Sequence, residues 1–407
     1  MRNGWQRYAL VAMGASLSGV AVARGGGIEV PMQSARAAGQ ADAFTAQADD
    51  PSAIFYNPAG LTQLRGTNLS AGAYLLQADW NLNADNGNDA SMHQLTVLPH
   101  FYIATDFGLE RWRFGIGVNN VHGLDEDWGD TGPLRTIVDE AKLSVINIAP
   151  TVAYKVTDQF SLGMAINVYY GSLELTRNVP LGAPPTPEGQ FDYSGNDLAF
   201  GVTPGVLWKI NDRHALGAYY RSPFSLDFDG DASVKLNGNA LAGPSDTEAS
   251  LDFPQSIGVG YAFRPVQPLK LEANVIWTDW EAVDEVLFTS DNAAFNGQTL
   301  PADWDSGFTY RLGAEYQVNP KWALRTGYAY SETAVPDATF SPIVPDSDYH
   351  LVSIGTGYAT ARWGIDVAAQ YIHRETHSVS GSVNSPAVDG EWRNNMFGLM
   401  ATLSLKL

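Results

Sequence analysis

The chain has 407 residues, no cysteine and a formal net charge of −20. Disulfides, thiolate metal sites and cysteine nucleophiles are excluded, and the basic footprint that nucleic acid requires is missing. Its 40 Gly, 22 Pro, 17 Phe, 11 Trp and 18 Tyr, against only 17% charged residues, suit many short strands joined by turns.

At the N-terminus, Arg2 and Arg7 flank the start of an apolar segment that runs from Tyr8 to Val22 and closes on Ala21-Val22-Ala23. A basic start, a short apolar run and an A-x-A site predict a secretory leader over residues 1–23. The run is too short, and too broken by Gly14, Ser16, Ser18 and Gly19, for a membrane anchor. No later stretch reaches the roughly 18 apolar residues of a membrane helix, so a membrane location would have to be reached with strands.

The stretch ADDPSAIFYNPAGL follows, from Ala48 to Leu61. It sets the apolar run Ala53-Ile54-Phe55-Tyr56 directly against Asn57-Pro58. The proline offers no N–H and pushes Asn57 out of the helical region, which predicts a fixed bend carrying apolar side chains. Such a bend suits either a loop packed on a core or a plug inside something hollow.

From about residue 67 the pattern changes to period 2. Leu269, Leu271, Ala273, Val275 and Trp277 alternate with Lys270, Glu272, Asn274, Ile276 and Thr278. Tyr310, Leu312, Ala314, Tyr316 and Val318 alternate with Arg311, Gly313, Glu315 and Gln317. Trp363, Ile365, Val367, Ala369 and Tyr371 alternate with Gly364, Asp366, Ala368, Gln370 and Ile372. In the last strand Phe397, Leu399, Ala401, Leu403, Leu405 and Leu407 alternate with Gly398, Met400, Thr402, Ser404 and Lys406.

Connections alternate as well. Short ones fall at Asp106–Arg111, Thr157–Gln159, Asn211–Arg213, Arg264–Pro268, Asn319–Lys321 and Thr360–Arg362. Long ones, rich in Asp, Asn, Gly, Pro and Ser, fall near 81–91, 122–142, 178–195, 229–250, 281–305, 332–347 and 378–390. About fourteen strands, both chain ends on the short-turn rim and long loops on the other describe an all-β fold: a 14-stranded antiparallel transmembrane β-barrel of the outer membrane. A soluble sandwich is the rival architecture. It would bury Arg311, Glu315, Lys270, Glu272, Arg325 and Asp366 in a dry core at great cost, whereas a wet lumen accepts them. It would also leave unexplained why Trp322 and Tyr330, Trp363 and Tyr371, and Tyr310 and Tyr316 stand at strand ends on the apolar face, as interface girdles do.

If residues 67–407 close the wall, residues 24–66 have no strand left to form. A barrel this wide is not filled by its own side chains, so an Ala- and Gly-rich segment can thread inside as a plug. Its apolar bend is a poor lining for sugars or ions and suits a path for greasy molecules.

The stretch Ala48–Leu61 resembles the signature of the FadL/TodX family of outer-membrane transporters for hydrophobic compounds. Further matches are Gly123-Leu124, Phe308-Thr309-Tyr310-Arg311-Leu312-Gly313, Trp322-Ala323-Leu324-Arg325-Thr326-Gly327-Tyr328, and Val344-Pro345-Asp346-Ser347-Asp348 before Ser353-Ile354-Gly355-Thr356-Gly357-Tyr358. The resemblance covers essentially the whole mature chain. It implies a fourteen-strand barrel closed by an N-terminal hatch, and capture of a hydrophobic ligand on the outer loops. It further implies a pocket above the hatch, hatch movement, and passive lateral exit through a gap made by an inward kink of the third strand. The matching hatch residues are Phe55, Tyr56, Asn57, Pro58, Ala59 and Leu61. The third strand would be Trp112–Gly123, where Val118-Asn119-Asn120-Val121 breaks the alternation, and Val118, Asn119, Asn120 and Gly123 would be its residues at the lateral opening. That break suits a kink or a bulge at the rim.

Fatty-acid members are expected to offer basic side chains to the ligand carboxylate. The corresponding positions here are Ser172 and Gly307, neither of them basic. Arg177, Arg311 and Arg325 remain as carboxylate partners. Their structural alternative is pairing with Glu315, Glu272 or Asp366 across the lumen, and for Arg311 and Arg325 that reading is favoured. A second departure is the terminal Leu407, where such proteins commonly end in an aromatic.

Enzymatic readings have little to stand on. His373 and His377, taken on one strand face, would be about 13 Å apart at ~3.3 Å per residue, too far to share a metal. No G-x-S-x-G or H-E-x-x-H occurs. No metal, cofactor or nucleic-acid partner is expected. The expected ligand is a long-chain fatty acid, with aromatic or alkane hydrocarbons second, and a general porin or a phage or adhesin receptor further behind. The surroundings would be outer-membrane lipid and lipopolysaccharide, and the resemblance implies a monomer.

Overall fold

The computed structural model describes residues 27–182 and 187–407; the leader assigned to residues 1–23 lies outside them. In chain order the strands are β1 (Asn68–Ala84), β2 (Ala90–Thr105), β3 (Trp112–Asp127), β4 (Glu140–Lys155), β5 (Phe160–Pro180), β6 (Glu188–Asn211), β7 (His214–Arg221), β8 (Phe224–Leu236), β9 (Asn239–Phe253), β10 (Ser256–Val266), β11 (Leu269–Thr278), β12 (Glu285–Ser290), β13 (Gln298–Pro301), β14 (Gly307–Gln317), β15 (Trp322–Ser331), β16 (Tyr349–Ala359), β17 (Trp363–Arg374), β18 (His377–Val379) and β19 (Gly390–Lys406).

Fourteen of these close the wall. Each pairs antiparallel with the next from β1 to β7. The circuit then passes β10, β11, β14, β15, β16, β17 and β19, and β19 returns to β1 with Asn68 facing Lys406 and Ala84 facing Gly390. Closure leaves no sheet edge except where β2 and β3 part above His100 and Asn119, as a bilayer demands because it offers no water to unpaired backbone. No helix among the described residues is long and apolar enough to cross a membrane.

The alternation predicts the faces correctly. Outward, Trp112, Trp208, Trp322 and Trp363 stand exposed near the short turns, and Tyr170, Tyr328, Tyr371 and Phe397 stand exposed farther along their strands. Between them lie exposed Leu, Ile and Val. Inward, Glu272, Arg311, Glu315 and Arg325 are buried, and β19 turns Gly398, Met400 and Thr402 inside while Phe397, Leu399 and Leu403 face out.

The short connections fall where expected, but several of the long ones are sheet. β5 runs on to Pro180 and β6 starts at Glu188, so most of 178–195 is strand. The region 229–250 belongs to the β8–β9 hairpin, whose β8 pairs with the outer end of β6 and whose β9 pairs with β12. The region 81–91 is mostly the tips of β1 and β2. The physical reason is simple. Above the bilayer an outward side chain meets water, so Asp, Asn and Gly occupy strand positions and the apolar half of the alternation disappears.

Residues 27–66 form no wall strand. They hold a turn of helix at Ala35–Ala38, another at Ala53–Tyr56 and a 3₁₀ turn at Pro58–Gln63. Nearly all of them are buried, against the inward faces of the wall.

Candidate functional site

The bend is fixed by the residues that announced it. Asn57 is extended, and its Nδ2 donates to the carbonyls of Thr45 at 2.8 Å and Val206 at 2.9 Å, while its Oδ1 accepts from Ala59 N at 3.2 Å. Pro58 opens the 3₁₀ turn, where its missing N–H costs nothing. Two wall glycines let this backbone touch the sheet. A Cβ on Gly163 would lie 2.2 Å from Ala59 N, and one on Gly205 would lie 2.3 Å from Asn57 Oδ1. Ile54 and Leu61 pack with Tyr102, Ala104 and Ala149 of the wall. The Tyr56 hydroxyl donates to Asp42 Oδ1 at 2.6 Å and accepts from Gln33 N at 3.0 Å.

Charges tie the segment to the wall. Glu315 receives Arg36 at 3.1 Å, Lys270 at 3.2 Å and Arg325 at 2.8 Å, and Arg325 reaches on to Asp366 at 2.7 Å. Asp49 bridges Arg36 and Lys270. Glu272 accepts the backbone N–H groups of Ala46 and Gln47 at 2.7 Å each. Arg311 donates to the Asp42 carbonyl at 3.3 Å. Arg325 therefore pairs with the predicted acids, and Arg311 is spent on the segment's backbone. Neither offers its guanidinium to the space above.

Arg221 escaped the sequence reading. Its guanidinium lies 4.4 Å from the Phe55 ring centre, donates to the Phe55 carbonyl at 3.3 Å and pairs with Glu29 at 3.2 Å. Arg36 belongs to the same class, and for Lys270, read from the sequence as a lumen charge, it is the partner Asp49 that was missed. An inward charge is legible from strand parity, but a partner on a segment two hundred residues away is not.

The third strand departs from the wall. β2 and β3 are paired only from Thr105↔Phe114 to His100↔Asn119, although β2 continues back to Ala90. The β3–β4 register slips between Asn120 and His122, leaving Val121 as an extra residue. Beyond it His122, Gly123, Leu124, Asp125 and Glu126 are all buried, so this half of the strand leans into the lumen. Its freed backbone bonds the N-terminal segment: Val30 N donates to Val121 O and Gly123 N to Ile28 O, both at 2.9 Å, and Gln33 Nε2 reaches Asn120 O. Val118 still pairs with Phe101 below the slip. Asn119 turns inward with neither amide atom bonded among the described residues, and Asn120 donates to Ser144 Oγ.

Two compartments lie above the segment. The inner one, about 90 Å³, is lined by Ile28, Leu124, Leu143, Trp304 and Ile343 among other apolar side chains and carries no charged group. The outer one, about 230 Å³, is lined by Arg177, Val179, Phe191, Val234 and Phe295. Leu175, Phe288 and Leu300 border both. Arg177 stands seven residues beyond Tyr170, above the outer girdle. Its guanidinium lies 5.6 Å from the Phe191 ring centre, and it has no acid partner and no partner for Nε among the described residues. Burial without such a partner pulls its pKa below the ordinary guanidinium value, yet leaves it cationic.

Two expectations need correction. Ser172 shares the outward face of β5 with Tyr170 and Glu174, so it does not face the lumen at all; its inward neighbours are Gly171 and Leu173. His373 and His377 do not share a strand face, because β17 ends at Arg374. His373 bonds Asn395, and His377, in β18, bonds Asp337. Gly307 does face inward, and it offers no side chain.

Known proteins resemble this chain over its length. The long-chain fatty acid transport protein of Escherichia coli O6:H1 is 25% identical over 370 residues, covering 80% of this chain and 82% of its own. Outer membrane protein P1 of Haemophilus influenzae is 22% identical over 375 residues, covering 80% and 81%. Among solved structures, a Pseudomonas aeruginosa FadL homologue superposes with a TM-score of 0.83 at 21% identity, covering 94% of this chain and all of the other. The Pseudomonas putida toluene transporter TodX superposes at 0.69 with 18% identity, covering 88% and 93%. The family described as outer membrane protein transport protein (OMPP1/FadL/TodX) matches residues 14–404. A closed fourteen-strand wall and a family match across nearly the whole sequence agree: the chain is an outer-membrane β-barrel and belongs to the OMPP1/FadL/TodX transport protein family.

Proposed function

We propose that this protein carries hydrophobic compounds with an acid group, long-chain fatty acids foremost, passively through the outer membrane. Residues 24–66 act as the hatch and residues 67–407 as the barrel. A ligand enters the outer compartment with its carboxylate on Arg177 and its chain pointing down. It moves to the inner compartment, and it leaves sideways where β2 and β3 part once the hatch shifts. Phe55, Tyr56, Asn57, Pro58, Ala59 and Leu61 are the hatch contacts, and Val118, Asn119, Asn120 and Gly123 form the kinked edge. The protein acts as a monomeric transporter and not as an enzyme, surrounded by lipid and lipopolysaccharide.

One observation carries this reading: an arginine without an acid partner among the described residues, half-buried over an aromatic ring, at the mouth of an apolar cavity. A charge-assisted hydrogen bond from such a group is worth roughly 1.5–3 kcal/mol. Native mass spectrometry of the purified protein against oleate, methyl oleate and toluene tests it. Oleate is expected to bind about ten- to a hundredfold tighter than its ester, and Arg177→Gln is expected to erase that preference while leaving the ester unchanged. Equal binding of acid and ester, or a preference for toluene, overturns the carboxylate reading. The second reading is then uptake of aromatic or alkane hydrocarbons, favoured by the uncharged inner compartment and by Gly307.

A further inference from the structure

Above the pair His100↔Asn119 the wall between β2 and β3 has no backbone ladder. Pro99, which has no N–H to give, is the first β2 residue beyond that pair. On the other side, the β3 backbone has turned to Ile28 and Val30. The two strands nevertheless meet, through side chains alone. Gln94 Nε2 donates to Asp125 Oδ2 at 2.5 Å, and Thr96 Oγ1 donates to the same oxygen at 3.5 Å. Two residues farther out, Asp127 N meets Met92 Sδ at 3.1 Å. Met92, Gln94 and Thr96 are successive inward positions of β2. Asp125 is buried at 4% exposure, and its Oδ1 has no partner among the described residues. Leu124, its neighbour in β3, lines the inner compartment.

We propose that Asp125 is the bolt of a side door, with Gln94 and Thr96 as its keeper, and that this bridge must break before a ligand leaves the inner compartment through the wall. The assignment rests on the transport reading above and adds the group that holds its exit shut. A ladder of backbone bonds in lipid opens only at prohibitive cost, since every freed group is stranded. A bridge of two side-chain bonds onto one carboxylate oxygen opens and recloses locally. The strand backbone does not unzip in the process, because β3 keeps its ladder to β4.

The absence of cysteine makes the test clean. The double variant Gln94→Cys/Asp125→Cys is purified, shown to be a folded barrel by its heat-modifiable gel shift, and joined with a short reducible bis-methanethiosulfonate linker. Oleate binding is read by native mass spectrometry and oleate entry in proteoliposomes. Linked protein is expected to bind oleate as before and to lose entry at least tenfold, with recovery on reduction. Each single-cysteine variant treated with the linker is expected to keep entry. Asp125→Ala is expected to raise the entry rate several-fold over the parent. Entry unchanged by a completed link overturns the bolt, and so does an unchanged rate in Asp125→Ala. A parent protein that neither binds nor admits oleate overturns the transport reading itself, and is seen before any linking.

Discussion

At the scale of single residues, wall glycines explain how the N-terminal segment is held against the wall. Glycine weakens a strand, by about 0.5–1 kcal/mol relative to alanine. Gly163 nevertheless faces inward from β5, where a Cβ would sit 2.2 Å from Ala59 N. Gly217 does the same in β7, 2.3 Å from the Thr45 carbonyl. The glycine is tolerated there because the segment's backbone lies against the sheet. Gly163→Val gives the strand a better former and removes the room for the bend. The clash, of the order of 1–3 kcal/mol or more, falls on Pro58 and Ala59, since a closed ladder cannot yield. The expected outcome is a barrel with normal heat-modifiability whose bend is displaced, read as higher ion conductance in a planar bilayer than the parent shows. A barrel that fails to form would mean instead that the bend is needed for folding.

At the scale of elements, wall and segment are separable. Below their outer ends the wall strands pair with one another, apart from the facing upper halves of β2 and β3, and β8 and β18 add only to the outer ends of β6 and β19. Deleting residues 24–61 leaves Glu272, Glu315, Lys270, Arg311 and Arg325 facing a water-filled lumen, where they are solvated at little cost. The expected product is a folded, leaky barrel that has lost selective uptake, checked by gel shift and by entry of small hydrophilic solutes. Loss of the gel shift would make the segment a folding element. The elements also differ in how much of them the sequence betrays. Asn57-Pro58 marks the bend because proline constrains backbone whatever surrounds it. The membrane halves of β11, β14, β17 and β19 are marked because lipid and lumen impose opposite polarity on alternate residues. The outer halves of β5 and β6, and the β8–β9 hairpin, are hidden because water lies on their outer face and turn-like residues fill them. The side-by-side Asn119 and Asn120 betray the slip in β3. Nothing local betrays that β2 lets go of it, or that Asp125 meets Gln94, since both depend on where the N-terminal segment lies. Arg177 stood among the named cations. That it alone of the three lines a cavity was decided by the outer sheets around it.

At the scale of the whole molecule, the two aromatic rings measure the bilayer the barrel is built for. Trp363 and Tyr371 lie eight residues apart on the outward face of β17, and Trp322 and Tyr330 eight apart on that of β15. At ~3.3 Å per residue that is about 26 Å along the strand, or roughly 20 Å along the membrane normal for a tilt near 40°. Everything beyond is hydrated sheet, from Arg177 upward in β5 and throughout β8 and β9, and much of the chain's acidity sits there, as in Asp227, Asp229, Asp231 and Glu248. A barrel with so short an apolar band strains a thick bilayer, by a fraction of a kcal/mol for each Å of mismatch. The temperature at which the gel shift is lost is therefore expected to be highest in dilauroyl or dimyristoyl phosphatidylcholine vesicles and lowest in dioleoyl ones. The ranking tests the assignment of the rings directly, because it depends on their separation and not on any ligand. If the barrel were most stable in the thickest bilayer, the apolar band would have to extend past Tyr371 and Tyr330. The outer sheets, and the compartment beside Arg177 with them, would then stand in lipid instead of water.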